Sequence, residues 1–265
     1  MFMQRLITSL ILIPIVLLTI FYAPAWVLGG LVLLVVLVAA TECWQLIPTE
    51  YPLARIGFVV ALFLCLGLCY MVFPYWQTWG LILWLFIYVA ICTFPSSQRY
   101  WGHPGIVATL CLIVIPLFVL SLVQIYYMPQ GKSLLVYLLF LIWAADVGAY
   151  LAGKQWGKHK LIPQVSPGKS WEGIAGGFSL ALLVAFIGYV YYTPYSAVIW
   201  FGIAMVTVVV SIFGDLFVSI LKRRCHLKDT GAIIPGHGGI LDRLDSLIAA
   251  LPVFYFGLTY IPLGV

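Results

Sequence analysis

A chain of 265 residues that is 64% hydrophobic and only 8% charged does not have the composition of a soluble domain, which carries about a quarter charged residues. No fold of this length hides so much apolar surface from water, so that surface faces lipid. The net charge of +5 comes from few basic residues, whose placement suits a membrane orientation signal and gives no nucleic-acid-binding face.

Residues 1–22 have the outline of a signal peptide, with Arg5, an apolar run and Ala23-Pro24-Ala25 as a loose cleavage site. The run is long and more spans follow, so an uncleaved first transmembrane helix is expected. A membrane helix needs about 20 apolar residues. On that measure nine spans are expected: 6–22, 26–47, 57–73, 76–94, 105–128, 133–153, 173–192, 196–221 and 244–262. The expected fold class is all-α, a polytopic transmembrane helical bundle.

Pro24, Pro52, Pro74, Pro104, Pro129 and Pro194 fall in the gaps, and aromatic residues such as Trp76, Trp79, Tyr126, Tyr127 and Tyr189 gather near span ends. No internal repeat is visible. Five of the six cysteines lie in apolar runs. Even Cys65 and Cys69, one helical turn apart, read as small buried hydrophobes, so no disulfide is expected.

If the loops alternate sides, one side receives Arg5, Arg55, Arg99, Lys154, Lys158, Lys160, Lys169, Lys222, Arg223, Arg224, Lys228 and Arg243, and the other only Lys132. This asymmetry predicts a cytoplasmic N-terminus and places both long polar loops, 154–172 and 222–243, in the cytoplasm. Six of the eight acidic residues follow residue 145. The chain therefore reads as an apolar region, 1–130, and a catalytic region, 131–265.

Asp146 and Asp215 sit inside expected spans, eight and seven residues before Lys154 and Lys222. At about 1.5 Å per residue, both lie roughly 10–12 Å below the cytoplasmic helix ends. A charge in hydrocarbon is costly unless it faces a partner or a wet cavity, so a shared polar cavity is expected rather than two isolated hydrogen bonds. Ser211, Asp215, Ser219 and Lys222 form one polar stripe on their helix. Ala144, Ala145, Gly148, Ala149, Ala152 and Gly153 allow close helix packing in the sixth span.

The loop after the eighth span carries the densest pattern. It opens with Ser219, Lys222 and Arg223, continues through Lys228, Asp229 and Gly231, and turns at Gly236-His237-Gly238-Gly239 before Asp242, Arg243 and Asp245. Cations followed by a flexible turn and two carboxylates at i, i+3 suit a phosphate-bearing substrate held with a divalent metal. Orientation alone explains Lys222 to Arg224, but neither the glycines nor the aspartate pair.

From Ser219 to Asp245 the stretch resembles, without departure, the signature of the phosphatidate cytidylyltransferase (CDP-diacylglycerol synthase) family. Ser166-Pro167-Gly168-Lys169-Ser170-Trp171-Glu172-Gly173 resembles the family's S-P-K-K-T-x-E-G loop, with Gly168 for a usual Lys and Ser170 for a usual Thr. The motifs cover roughly 140–250.

The resemblance implies synthesis of CDP-diacylglycerol and pyrophosphate from CTP and phosphatidate, in a cytoplasm-facing funnel with a two-metal, Mg²⁺-dependent centre. By motif position it implies metal binding by Asp215 and Asp242. Asp146 is expected to hold a second cation, K⁺ being a candidate, or to order a lysine. Lys222, Arg223, Lys169 and Lys228 are expected to balance phosphate charge. Ser166, Gly238, Gly239 and Arg243 are expected at the nucleotide. His237 is read equally as a phosphate ligand, an acid or a structural residue.

The expected partners are the two substrates and the bilayer, in a bacterial inner membrane, with a homodimer left open. Two rivals are a related CTP-dependent lipid kinase or CDP-archaeol synthase, and an ion-coupled transporter. The unbroken signature opposes the first. The lack of inverted repeats opposes the second.

Overall fold

The computed structural model describes residues 2–47, 52–234 and 238–259. Helices dominate: α1 (Phe2–Tyr22), α2 (Ala25–Gln45), α3 (Pro52–Met71), α4 (Phe73–Cys92), the single turn α5 (Gln98–Trp101), α6 (Pro104–Tyr127), α7 (Gly131–Trp156), α8 (Trp171–Tyr192), α9 (Ala197–Arg224) and α10 (Leu241–Leu258). The strands β1 (Lys160–Ile162) and β2 (Ser166–Ser170) lie between α7 and α8. This is the all-α polytopic bundle that composition predicts.

Each expected span overlaps a long helix among the described residues, the ninth only up to Leu258, its last residues lying outside the described ones. Seven of them, α2, α3, α4, α6, α7, α8 and α9, are long and apolar enough to cross a membrane among the described residues. The apolar part of α1, Thr8–Tyr22, is shorter, and α10 starts with Asp242, Arg243 and Asp245. Large apolar side chains such as Leu64, Leu68, Phe86 and Ile187 are exposed on these helices. Lipid is the solvent that tolerates them, because helices satisfy their own backbone groups.

The prolines act where the sequence places them. Pro24 precedes α2, Pro52 and Pro104 begin α3 and α6, and Pro74 sits in the first turn of α4. Proline lacks the N–H that a first turn leaves unsatisfied in any case.

The chain groups into two compact units that interleave along the sequence. The first comprises residues 1–120 and 220–245; the second comprises 121–219 and 246–265. In the first, α3 and α6 meet where the Cys65 thiol donates to the Leu112 carbonyl at 3.2 Å. All six cysteines are free thiols, and the Cys65 and Cys69 sulfurs are 3.6 Å apart.

In the second unit, α7 and α8 pack backbone to backbone. A Cβ on Gly176 would lie 2.7 Å from the Gly148 carbonyl, and one on Gly177 would lie 2.7 Å from that of Ala145. The small residues of the sixth expected span therefore serve close packing, the interaction that substitutes for the hydrophobic effect in lipid. Below them Tyr137, Tyr192, Trp200 and Phe254 stack as an aromatic core, with the Trp200 indole donating to the Ala185 carbonyl at 2.9 Å.

Candidate active site

In the second unit the polar segment 154–172 folds into a short hairpin. β1 and β2 pair antiparallel, with Lys160 opposite Ser170 and Ile162 opposite Ser166. The Trp171 amide donates to the His159 carbonyl at 2.9 Å, and His159 Nδ1 lies 2.7 Å from Glu172 Oε1. Ser170 is the N-cap of α8 and accepts the Gly173 amide at 3.1 Å. Serine serves here as threonine would, because either hydroxyl can cap a helix.

These bonds fix the direction of Lys169. Its Nζ lies 2.8 Å from Asp215 Oδ2 and donates to the Ile212 carbonyl at 3.3 Å. Ser219 donates to Asp215 Oδ1 at 3.2 Å, which confirms two members of the polar stripe as neighbours. The side chains of Lys169 and Asp215 remain 25% and 33% exposed.

Beside this pair is an open pocket of about 270 Å³, lined among others by Ala145, Asp146, Tyr150, Ser166, Gly168, Lys169 and Ser170. Asp146 and Lys169 line this one cavity, while Asp215, expected to share a cavity with Asp146, meets it through its ion pair with Lys169. Nothing lies within 4 Å of a Cβ built on Gly168, so the usual lysine of the resemblance is replaced here by open space.

The first unit holds a second lysine–aspartate pair in different surroundings. α9 ends with His226 in the left-handed region (φ 56). The Leu227 and His226 amides turn back onto the carbonyls of Lys222 and Arg223 at 2.9 and 3.1 Å, a Schellman-type stop. The chain then reaches Thr230 and returns through Gly238 to α10. Ile234 and Gly238 pair across that loop, and Gly238 has φ 81, a conformation that favours glycine.

Asp242, in the first turn of α10, faces this loop. Its Oδ1 accepts from Lys222 Nζ at 2.6 Å. Its Oδ2 accepts from the Thr230 amide at 2.8 Å, the Gly239 amide at 2.9 Å and the Thr230 hydroxyl at 3.1 Å. The side chains of Lys222 and Asp242 are only 11% and 3% exposed. Burial pushes the Asp242 carboxyl up, but the Lys222 ammonium and the two amides outweigh it, and the net shift is below the ordinary aspartate value.

Glu42, on α2, joins the same cluster. It is 2% exposed and accepts the Ile240 and Leu241 amides at 2.9 and 2.7 Å. In the sequence it is one of two acidic residues that precede residue 145. It stands near the end of an apolar run, where a glutamate resembles a boundary residue.

Arg223 is exposed and donates to the Leu227 carbonyl at 3.3 Å. Lys228, Asp229 and Arg243 are exposed. His237 lies outside the described residues.

Among the described residues no three His, Cys, Asp or Glu side chains gather as a ready metal-ligand group. At both aspartates an ammonium takes the position a cation would take. Asp242 Oδ2 already has three donors, so a hard dication could share only Oδ1, in exchange with Lys222. Asp215 is more accessible and has a long, flexible lysine for a partner. Its donor chemistry suits Mg²⁺ better, since Mg²⁺ is held through one or two carboxylates together with substrate phosphates.

The chain is similar to known proteins over most of its length. A phosphatidate cytidylyltransferase from Pseudomonas aeruginosa is 36% identical over 277 residues, covering 96% of this chain and 96% of its own length. One from Haemophilus influenzae is 40% identical over 191 residues, 67% of this chain and 64% of its own length. One from Bacillus subtilis is 40% identical over 152 residues, 56% of each chain. The cytidylyltransferase family pattern matches residues 3–261. An integral membrane protein that carries this pattern across nearly all its length, with both motif segments folded around lysine–aspartate pairs, belongs to the cytidylyltransferase family.

Proposed function

We propose that the chain is a phosphatidate cytidylyltransferase, which joins CTP and phosphatidate into CDP-diacylglycerol and releases pyrophosphate. The observation that carries this reading is the Lys169–Asp215 pair beside an open pocket in a chain of apolar helices. A phosphate-bearing head group with acyl chains in the bilayer has both of its requirements met there.

In the reaction a phosphate oxygen of phosphatidate attacks the α-phosphorus of CTP. A P–O bond forms, the bond to the β-phosphate oxygen breaks, and the electron pair leaves with pyrophosphate. The protein's part is positioning and charge neutralisation. Lys169 is held toward the pocket by the hairpin and by Asp215. A phosphate oxygen is a better partner for its ammonium than a carboxylate that is already hydrogen-bonded by Ser219. Ser166 and Ser170 on the same wall offer hydroxyl donors. Lys222 serves Asp242 first, whereas Arg223 and Lys228 are exposed cations available to phosphate.

Mg²⁺ is the cation this reading calls for; Asp215 and Asp242 are each a candidate holder, and Asp146 is the candidate for a second cation. Bound with the triphosphate, it would neutralise charge on the reacting phosphates. Lys169, if released from Asp215, would find its counter-charge on a phosphate oxygen. The basic-residue asymmetry orients the hairpin and the signature loop to the cytoplasmic face of a bacterial inner membrane.

The test is the purified chain in detergent with CTP, Mg²⁺ and phosphatidate. Release of pyrophosphate with formation of CDP-diacylglycerol supports the reading. No release, or transfer of a phosphate to a lipid alcohol instead, defeats it.

A further inference from the structure

The first 130 residues carry few ionisable side chains, and one of them is buried where packing alone has no use for it. Glu42 is 2% exposed. Oε1 accepts the Ile240 amide at 2.9 Å, and Oε2 accepts the Leu241 amide at 2.7 Å. Those amides open α10, so Glu42 does for that helix what its own N-cap side chain would otherwise do, at the positive end of the helix dipole.

Oε2 also faces the hydroxyl of Thr230 at 3.0 Å, across 188 residues of sequence. That hydroxyl is 3.1 Å from Asp242 Oδ2 as well. It has one proton and two carboxylates within reach, so Thr230 links Glu42 to Asp242. The space around Glu42 is reserved. A Cβ on Gly231 would lie 2.6 Å from Oε1, and one on Gly239 would collide with Oε2 and with the Thr230 hydroxyl. Two glycines of the signature loop are therefore explained by a side chain from α2.

We propose that Glu42 is a positioning residue for cytidylyl transfer. It clamps the first turn of α10 and Thr230, so that Asp242 and Lys222 keep one geometry. The proposal rests on the cytidylyltransferase reading above. A carboxylate is the group the place requires, because every neighbour it meets is a donor. Glutamine would turn an N–H toward a donor, and aspartate is one methylene too short to reach both α10 and Thr230.

The experiment measures turnover of the full-length chain in detergent with CTP, Mg²⁺ and phosphatidate, per mole of folded protein scored by gel filtration. Absence of wild-type turnover strikes the cytidylyltransferase reading and not the role of Glu42. For Glu42→Gln, kcat is expected to fall about tenfold to 100-fold, the scale of an ångström-sized misplacement, with KM for CTP within about threefold. Thr230→Val is expected to behave in the same way, while Thr230→Ser, which keeps the hydroxyl, restores most of the rate. The Glu42→Gln/Thr230→Val double variant is expected to be no worse than the poorer single variant, because both act on one linkage. Three results overturn the proposal: an unchanged kcat in folded Glu42→Gln, losses that multiply in the double variant, or a Thr230→Ser as poor as Thr230→Val. If Glu42→Gln does not fold, the Thr230 pair decides by the same criterion.

Discussion

Lys169–Asp215 and Lys222–Asp242 are the same two residue types at nearly the same separation, 2.8 and 2.6 Å, and they are built for different work. The first pair is a quarter to a third exposed and stands beside a pocket. The second is almost sealed, and the aspartate is also gripped by two amides and a hydroxyl. An exposed pair can exchange partners at little cost, because water and long side chains compensate either ion. A buried pair cannot, because removing one partner leaves the other charge stranded. The open pair is thus suited to meet substrate, and the closed pair to hold the signature loop in shape.

The most severe expected effect is at the closed pair. Asp242→Asn turns an N–H toward donors and leaves Lys222 without its counter-ion. Breaking a buried pair costs about 3–5 kcal/mol, so this variant is expected to lose folded yield and thermal stability together with turnover. Lys222→Met is expected to do the same from the other side. Detergent gel filtration and a thermal melt check this. A fully stable, inactive Asp242→Asn would show that the closed pair acts only on substrate, and the contrast with Asp215 would disappear.

At the open pair the two readouts are expected to separate. Asp215→Asn is expected to change folding stability by no more than ~1 kcal/mol, as for other partly exposed pairs. Turnover is expected to fall about 100-fold or more, as when a preorganised charge is taken from a reaction centre. Excess Mg²⁺ is expected to rescue little. Near-normal turnover in Asp215→Asn would defeat the metal assignment at this residue. Lys169→Ala follows in size, with kcat/KM down about tenfold to 100-fold, the worth of a charge-assisted hydrogen bond of ~1.5–3 kcal/mol. A loss in Lys169→Ala that is confined to stability would reduce this lysine to a hairpin tether.

The sequence makes the helices legible because length and hydropathy are local properties, and the prolines at 24, 52, 104, 129 and 194 mark the ends without knowledge of the fold. It also points to a polar site near Asp146 and Asp215, because intramembrane charge needs company, whereas the pairing of Asp215 with Lys169 comes from the fold. Three further features depend on tertiary contact and were not legible. Lys222 reads as a phosphate ligand from its neighbours in the chain, yet its ammonium is held by Asp242, 20 residues away. The hairpin at 160–170 has a Ser-Pro-Gly strand that lacks any β-propensity signal and is held by His159 and Glu172 instead. Glu42 finds its partners at Thr230, Ile240 and Leu241, and no periodicity within α2 points to them.

The smallest expected effect sharpens the comparison most cheaply. Asp229 stands in the same signature loop as Asp242, one residue before Thr230, and by motif position only Asp242 is expected at the metal. The structure separates them by burial. Asp229 is exposed, while Asp242 is enclosed. Neutralising Asp229 leaves the amides of Thr230 and Gly239, the Lys222 ammonium and Glu42 as they are, since none of their bonds runs through its side chain. A solvent-facing charge of this kind is worth about half a kcal/mol. Asp229→Asn is therefore expected to keep its melting temperature and to hold kcat/KM within about threefold of the parent chain. Steady-state kinetics at fixed Mg²⁺ measures this directly. A drop of about 30-fold or more in a well-folded Asp229→Asn, some 2 kcal/mol at the transition state, would assign the chemistry to the exposed carboxylate, and burial would no longer distinguish the aspartates of this loop.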